Sequence, residues 1–269
     1  MSLDTFVGPL ESAKDRFREY GMAIVEDILS EEELVSLRKD LERAMDEECK
    51  FQGSTQFQDY GMVLVCAKYG GSLLSLFEKD HLFRPAEDIL GSDCIVYANT
   101  SSSIPPRSKN YANRIHVDGP EYFPGYCARI SCLFMIDDFT IENGATYFLP
   151  KSIHASLDIP AEDFFYKHAL RLTGKAGTVV YWDPTIWHAG GVNDTDKWRH
   201  ALTVVMCRSY MKQRLNFSAM IDKNLVPSLS PSAKQRLGFF SIPPNSYEEY
   251  YAPRDRGPSK VRMGPHSEV

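Results

Sequence analysis

Residues 198–210 read WRHALTVVMCRSY, and their alternation decides the fold. An extended chain sends successive side chains to opposite faces. Arg199, Ala201, Thr203, Val205 and Cys207 therefore share one face, and His200, Leu202, Val204 and Met206 share the other. The second face is largely apolar and suits packing against another layer. The first carries small residues beyond a single guanidinium, which leaves room there for a ligand.

Working outward, the chain from about residue 94 consists of apolar, β-branched and aromatic runs punctuated by Gly, Pro, Asn and Asp. Six further segments read as strands: CIVYANT (94–100), NRIHVDG (113–119), CARISCLFMIDD (127–138), TYFLP (146–150), GTVVYWD (177–183) and IWHAGG (186–191). Together with 198–210 they predict a mainly β protein with flanking helices, built on a double-stranded β-helix, or cupin-like jelly roll.

Upstream, LSEEELVSLRKDLERAM (29–45) predicts an amphipathic helix. Ser30 and Glu33 form a capping box, Leu29 and Leu34 a hydrophobic staple, and Leu34, Leu37, Leu41 and Met45 one apolar face. Met22–Val25 reads as an early strand, and SLLSLFEKDHLFRPAEDIL (72–90) contains short helices. From residue 243 onward the chain reads as loop and then tail, ending RDRGPSKVRMGPHSEV. The expected organisation is one domain over 1–269, with helical and strand elements in 1–93, the jelly roll in 94–215, and a C-terminal helix, loop and tail in 216–269.

A chain of 269 residues, 43% hydrophobic and 25% charged, can bury a sizeable single core. Its net charge of −6 provides no basic field for nucleic acid or anionic lipid. With no leader-like or membrane-spanning run, a cytoplasmic protein without nucleic-acid or membrane partners is expected. The six cysteines form no C-x-x-C pair and read as reduced, mostly core thiols.

Chemistry concentrates in two places. His116 and Asp118 lie two apart in NRIHVDG, so an extended backbone puts both side chains on one face. His188, in DPTIWHAGG, then completes a set of two imidazoles and one carboxylate, which leaves three positions of an octahedral metal open. Open positions are what oxygen activation at Fe(II) needs, although Zn(II) or Mn(II) suits the same ligands. Alone, an H-x-D pair arises often by chance. Arg199 follows His188 by eleven residues on a neighbouring strand, and its planar fork suits the distal carboxylate of a dicarboxylic keto acid.

These segments, in this order, resemble the phytanoyl-CoA dioxygenase-like family of Fe(II)/2-oxoglutarate oxygenases over most of the chain. YGMAIVEDILSEEELVSLRKDL (20–41) is similar to the family's N-terminal strand and helix, and His116-Val117-Asp118 to its H-x-D motif. IDDFTIENGATYFLPKSIH (136–154) is similar to the segment between ligands, and WHAGGVNDTDKWRHAL (187–202) to the distal histidine and arginine. The resemblance implies that His116, Asp118 and His188 bind iron and that Arg199 binds 2-oxoglutarate, with Thr146 and Asn113 as further polar contacts. Where many members have a glycine before a Ser-His pair, this chain has Lys151, so no role is carried over to His154.

The implied reaction consumes 2-oxoglutarate and O₂, releases succinate and CO₂, and hydroxylates a small organic molecule. Desaturation, cyclisation and epimerisation start from the same hydrogen abstraction. Related halogenases have a small residue in place of the aspartate, so Asp118 argues for oxygen chemistry. A non-catalytic jelly-roll binding module and a cupin-like metal lyase or isomerase are the readings from other classes. For the substrate, Arg107, Lys109 and Tyr111 enter the ligand segment and Tyr122 and Phe123 leave it. A cationic mouth at Arg107 and Lys109 would favour a carboxylate or phosphate. Trp182 and Trp187 flank His188 as core or as an apolar substrate wall.

Overall fold

The helical N-terminal region forms where its capping signals are placed. In the computed structural model, which describes residues 1–53, 61–109, 111–119, 123, 125–152 and 158–251, Ser30 caps a 22-residue helix reciprocally with Glu33. The Ser30 amide donates to Glu33 Oε2 at 2.7 Å, and the Glu33 amide donates to Ser30 Oγ at 3.3 Å. Leu34, Leu37, Leu41 and Met45 are its buried stripe. Ser30→Ala should lower stability by about 1 kcal/mol in chemical denaturation, because the Glu33 amide loses its side-chain acceptor.

The elements in chain order are α1 (Ala13–Tyr20), β1 (Met22–Val25), α2 (Glu31–Gln52), α3 (Gly71–Ser75), α4 (Asp80–Leu90), β2 (Ile95–Ser101), β3 (Arg129–Met135), β4 (Thr146–Phe148), α5 (Glu162–His168), β5 (Leu170–Leu172), β6 (Val179–Trp182), β7 (His188–Ala189), β8 (Ala201–Cys207), α6 (Phe217–Met220), α7 (Pro231–Arg236) and α8 (Tyr247–Tyr251). The strands pair antiparallel in a five-stranded sheet, β1-β6-β3-β8-β2, and a three-stranded sheet, β5-β4-β7. This is the expected jelly roll with flanking helices.

Two apolar layers follow from the alternation. Cys132, Phe134, Leu202, Val204 and Met206 face α2, α3 and α4 and join Leu37, Leu41, Leu73 and Phe83 in one cluster. The opposite face sends Leu133, Met135 and Val180 toward Phe148 and Leu172, in a second cluster between the sheets. Buried polar groups tie the segment before α3 to the larger sheet: the Ala67 amide donates to Asn99 Oδ1 at 2.8 Å and the Val63 amide to Ser101 Oγ at 2.9 Å. All six cysteines are free, and burial pushes the Cys207 thiol up to about 12. No described helix is long and apolar enough to cross a membrane.

Two features depart from the strand reading. NRIHVDG is not a regular strand; after a short turn at Tyr111–Asn113 it makes only an isolated bridge, His116 to His188. Its alternate residues Ile115 and Val117 pack against Leu149, Phe165 and Trp187, but the ladder to the His188 segment is limited to that one bridge. Conversely, β5 is a strand that alternation did not suggest, because three residues following α5 are too short to show a period.

Candidate metal centre

The bridge between His116 and His188 brings the two imidazoles side by side. Each residue's amide donates to the other's carbonyl at 2.9 Å, and the ring centroids are 4.2 Å apart. Asp118 is held by its own amide, which donates to the Pro184 carbonyl at 2.9 Å. Asp118 Oδ1 then lies 3.7 Å from His116 Nε2 and 3.8 Å from His188 Nε2. One donor atom from each of the three residues falls within 4.8 Å of the others.

Hydrogen bonds at the far-side ring nitrogens leave the Nε2 atoms of both rings able to bind a cation. His116 Nδ1 lies 2.8 Å from the Arg114 carbonyl, and His188 Nδ1 lies 3.0 Å from the Ile186 carbonyl. A carbonyl accepts only, so each Nδ1 carries the proton and each Nε2 presents a lone pair to the shared point. Burial, reinforced by neighbouring His188, pushes the His116 pKa well below the usual histidine range, which keeps the ring neutral. Ser131 Oγ donates to Asp118 Oδ2 at 3.3 Å, and Phe148 stacks on the His188 ring at 5.5 Å. Two neutral imidazoles and a carboxylate on one side of a common point suit a divalent cation that retains open positions.

Arg199 occupies one end of the same cavity. Its backbone pairs with Ile104, its guanidinium sits 3.9 Å over the Phe139 ring, and only 3% of the residue is exposed. Its one described hydrogen bond is long, Nη2 to the Gly144 carbonyl at 3.4 Å, and Nε has no partner. Burial pushes its pKa down to about 9, still charged at neutral pH. A buried cation so poorly compensated is costly, and a carboxylate placed against it would remove that cost.

Thr146 and Trp182 line the cavity with His116, Asp118, His188 and Arg199. Asn113 is brought to the site in another capacity. Its side-chain amide donates to the Gly190 and Gly191 carbonyls at 3.0 and 2.5 Å, so it clamps the segment after His188, and it is not among the cavity-lining residues. Arg107 is directed away: it is exposed and forks onto Asp196 at 2.8 and 3.0 Å. The pairing follows from the antiparallel bridge Ser108–Asn193, which sets the two loops against each other. Tyr111 belongs to the turn before His116, whereas Tyr122 and His154 lie outside the described residues. Trp187 packs with Leu149 and Phe165 away from the cavity.

Of the other lining residues, alternation placed Thr203 and Val205 on the cavity face, whereas Tyr97, Ala98, Thr100, Ser102 and Arg214 carried no such assignment from sequence. Thr100 and Ser102 on the β2 side and Thr203 on β8 form a polar floor, with Ser102 Oγ and Thr203 Oγ1 2.5 Å apart. Period-two alternation through NTSS contained that signal. Tyr97 and Ala98 both reach the cavity because β2 bulges between Val96 and Ala98. Arg214 lines it from beyond the strands.

Gly144 is where backbone conformation and space both constrain the site. Its φ is +83°, and a Cβ there would lie 2.6 Å from the Gly191 carbonyl oxygen. Gly144→Ala should cost about 2 kcal/mol or more in thermal or chemical unfolding. Because the Gly144 carbonyl also accepts from Arg199, the variant should also weaken binding of an anion at that arginine.

Comparison with known proteins agrees with this geometry. Residues 17–201 match the family model described as phytanoyl-CoA dioxygenase. An uncharacterised protein of Mycobacterium tuberculosis is 27% identical over 255 residues, covering 92% of this chain and 93% of that protein. The dioxygenase ALT11 of Alternaria alternata is 26% identical over 267 residues, 87% of this chain and 83% of that one. Among solved structures, the epimerase SnoN in complex with Fe³⁺, α-ketoglutarate and nogalamycin RO superposes with a TM-score of 0.59 at 18% identity, over 79% of this chain and 89% of that one. AviO1 from Streptomyces viridochromogenes gives 0.60 at 17% identity, over 76% and 97% respectively. Those structural likenesses establish a shared fold.

Proposed function

The chain belongs to the phytanoyl-CoA dioxygenase family of Fe(II)/2-oxoglutarate-dependent oxygenases, and on that premise we propose that it hydroxylates a C–H bond of a small organic molecule. The overall stoichiometry is R–H + 2-oxoglutarate + O₂ → R–OH + succinate + CO₂. His116, Asp118 and His188 are the proposed Fe(II) ligands, and Arg199 and Thr146 the proposed 2-oxoglutarate contacts. The observation that carries this reading is the pairing of a three-ligand cluster with a buried, under-partnered guanidinium in one cavity.

When bound, the iron supplies O₂ activation coupled to oxidative decarboxylation of the keto acid. The protein's own groups do the positioning. The carbonyls of Arg114 and Ile186 fix the imidazole tautomers, and Ser131 orients the carboxylate. Arg199 recognises the far carboxylate and so sets how deeply the co-substrate enters. Leu133, Phe148 and Trp182 give the cavity an apolar wall that limits water around the reacting carbon. Asp118 fills the position that a halogenase leaves for halide, which favours oxygen transfer.

Adding Fe(II) and 2-oxoglutarate anaerobically should produce a weak visible absorption, and a matching substrate in air should raise succinate release above the uncoupled rate. A protein that forms no such complex and releases no succinate would return the fold to a binding role. Turnover without O₂ or 2-oxoglutarate would point to a lyase or isomerase.

A further inference from the structure

Arg199 accounts for one end of the cavity; the other end carries a cation with no task inside the protein. Arg214 lines the same cavity as the three proposed ligands. Its amide donates to the Tyr97 carbonyl at 3.0 Å, at the bulge where β2 meets Val205 and Met206 of β8. Arg199 bridges Ile104 at the opposite end of that ladder. Seven residues separate the two levels along the chain (206 − 199), roughly 20 Å of extended backbone. A five-carbon keto diacid anchored at Arg199 and chelated at the metal does not extend that far.

The side chains of other arginines are committed. Arg208 donates to the carbonyls of Cys127 and Leu90, Arg171 to Tyr147 Oη and the Ile141 carbonyl, and Arg236 is paired with Asp80 and Glu87. Arg214 is exposed, and its guanidinium has no hydrogen bond or ion pair among the described residues. Beside it, Tyr97 is backed by a second positive charge: the buried Arg129 guanidinium lies 5.0 Å from the Tyr97 ring centroid. That guanidinium also lies against Gly119, where a Cβ would fall 2.3 Å from Nη2. The carboxylates near this end have other duties. Asp93 accepts from Ser209, Asp183 Oδ1 accepts from the Thr185 amide and hydroxyl, and Asp118 faces the imidazoles.

We propose that Arg214 is a specificity residue that binds a carboxylate of the substrate, with the Tyr97 ring as the adjoining wall, so that the substrate is an organic acid held by its charged end while its hydrocarbon part reaches the metal centre. The inference rests on the oxygenase reading above and assigns it a substrate class. It moves the cationic mouth from Arg107, which Asp196 neutralises, to the β2 bulge.

The test uses the full chain with Fe(II) and 2-oxoglutarate, and free acids of amino-acid, fatty and terpenoid skeletons, each paired with its methyl ester. Free acids should stimulate succinate release, and their esters should show a KM at least ~10-fold higher. Arg214→Gln should raise the KM for the acid ~10- to 100-fold, leave the KM for the ester in place and so close the gap, while Arg214→Lys retains part of it. The same variant should form the anaerobic Fe(II)/2-oxoglutarate absorption at wild-type co-substrate concentrations, which separates it from Arg199 variants. Esters as effective as acids, a gap that survives Arg214→Gln, or an absorbing complex that no acid stimulates would each overturn the proposal. If the wild-type protein forms no 2-oxoglutarate complex, the oxygenase reading fails instead, and the substrate class falls with it.

Discussion

Asp118→Ala is expected to lose substrate-coupled succinate formation by at least ~100-fold, because changes to groups that merely orient metal ligands already cost 10- to 100-fold in affinity or activity. The carboxylate is the only anion among the three clustered ligand residues. Without it, a divalent cation faces two neutral imidazoles, and the charge that offsets its dehydration is gone. The fold should persist. Asp118 is held through its backbone amide on the Pro184 carbonyl, and its side chain is partly exposed, at 28%, so the metal-free variant should unfold within ~1 kcal/mol of the parent. His116 should remain neutral, since loss of the neighbouring Asp118 charge lowers its imidazole pKa further. Metal titration, metal-free denaturation and the succinate assay together separate a lost ligand from a lost fold. Full substrate oxidation by Asp118→Ala would sink the ligand assignment.

Arg199→Met should produce two effects of opposite sign. Removing the guanidinium deletes charge-assisted bonds of about 1.5–3 kcal/mol each, so 2-oxoglutarate affinity should fall ~10²- to 10³-fold. The ligand-free protein should at the same time become no less stable, because a buried cation with one 3.4 Å bond and an unpartnered Nε is replaced by an apolar chain of similar reach. In the wild type, 2-oxoglutarate at 100 times its Kd should add about 2.7 kcal/mol of stability, and the variant should gain almost none at the same concentration. Thermal unfolding with and without 2-oxoglutarate, in the presence of a redox-silent divalent metal, reads both. Equal stabilisation of the two proteins would show that the keto acid binds elsewhere.

Local pattern carried much of this protein. Alternation in 198–210 assigned Thr203 and Val205 to the cavity and Leu202, Val204 and Met206 to the helical layer. The capping box placed the start of α2. His116, Asp118, His188 and Arg199 were legible as ligand types in a suggestive order, and Thr146 with them. Spacing alone joins His116 and Asp118 only through a continuous strand. The structure achieves the convergence with one bridge to His188 and one hydrogen bond to Pro184.

What the sequence by itself determined is which faces are apolar and which residues have metal- and carboxylate-binding chemistry, since both depend on residue type and a period of two. Tertiary structure alone decided which cation besides Arg199 reaches the cavity. Register sets Arg107 against Asp196 and takes it out, while a one-residue bulge in β2 turns Tyr97 inward and seats Arg214 behind it. Such choices arise from strand pairing between segments about a hundred residues apart, and no local period encodes them.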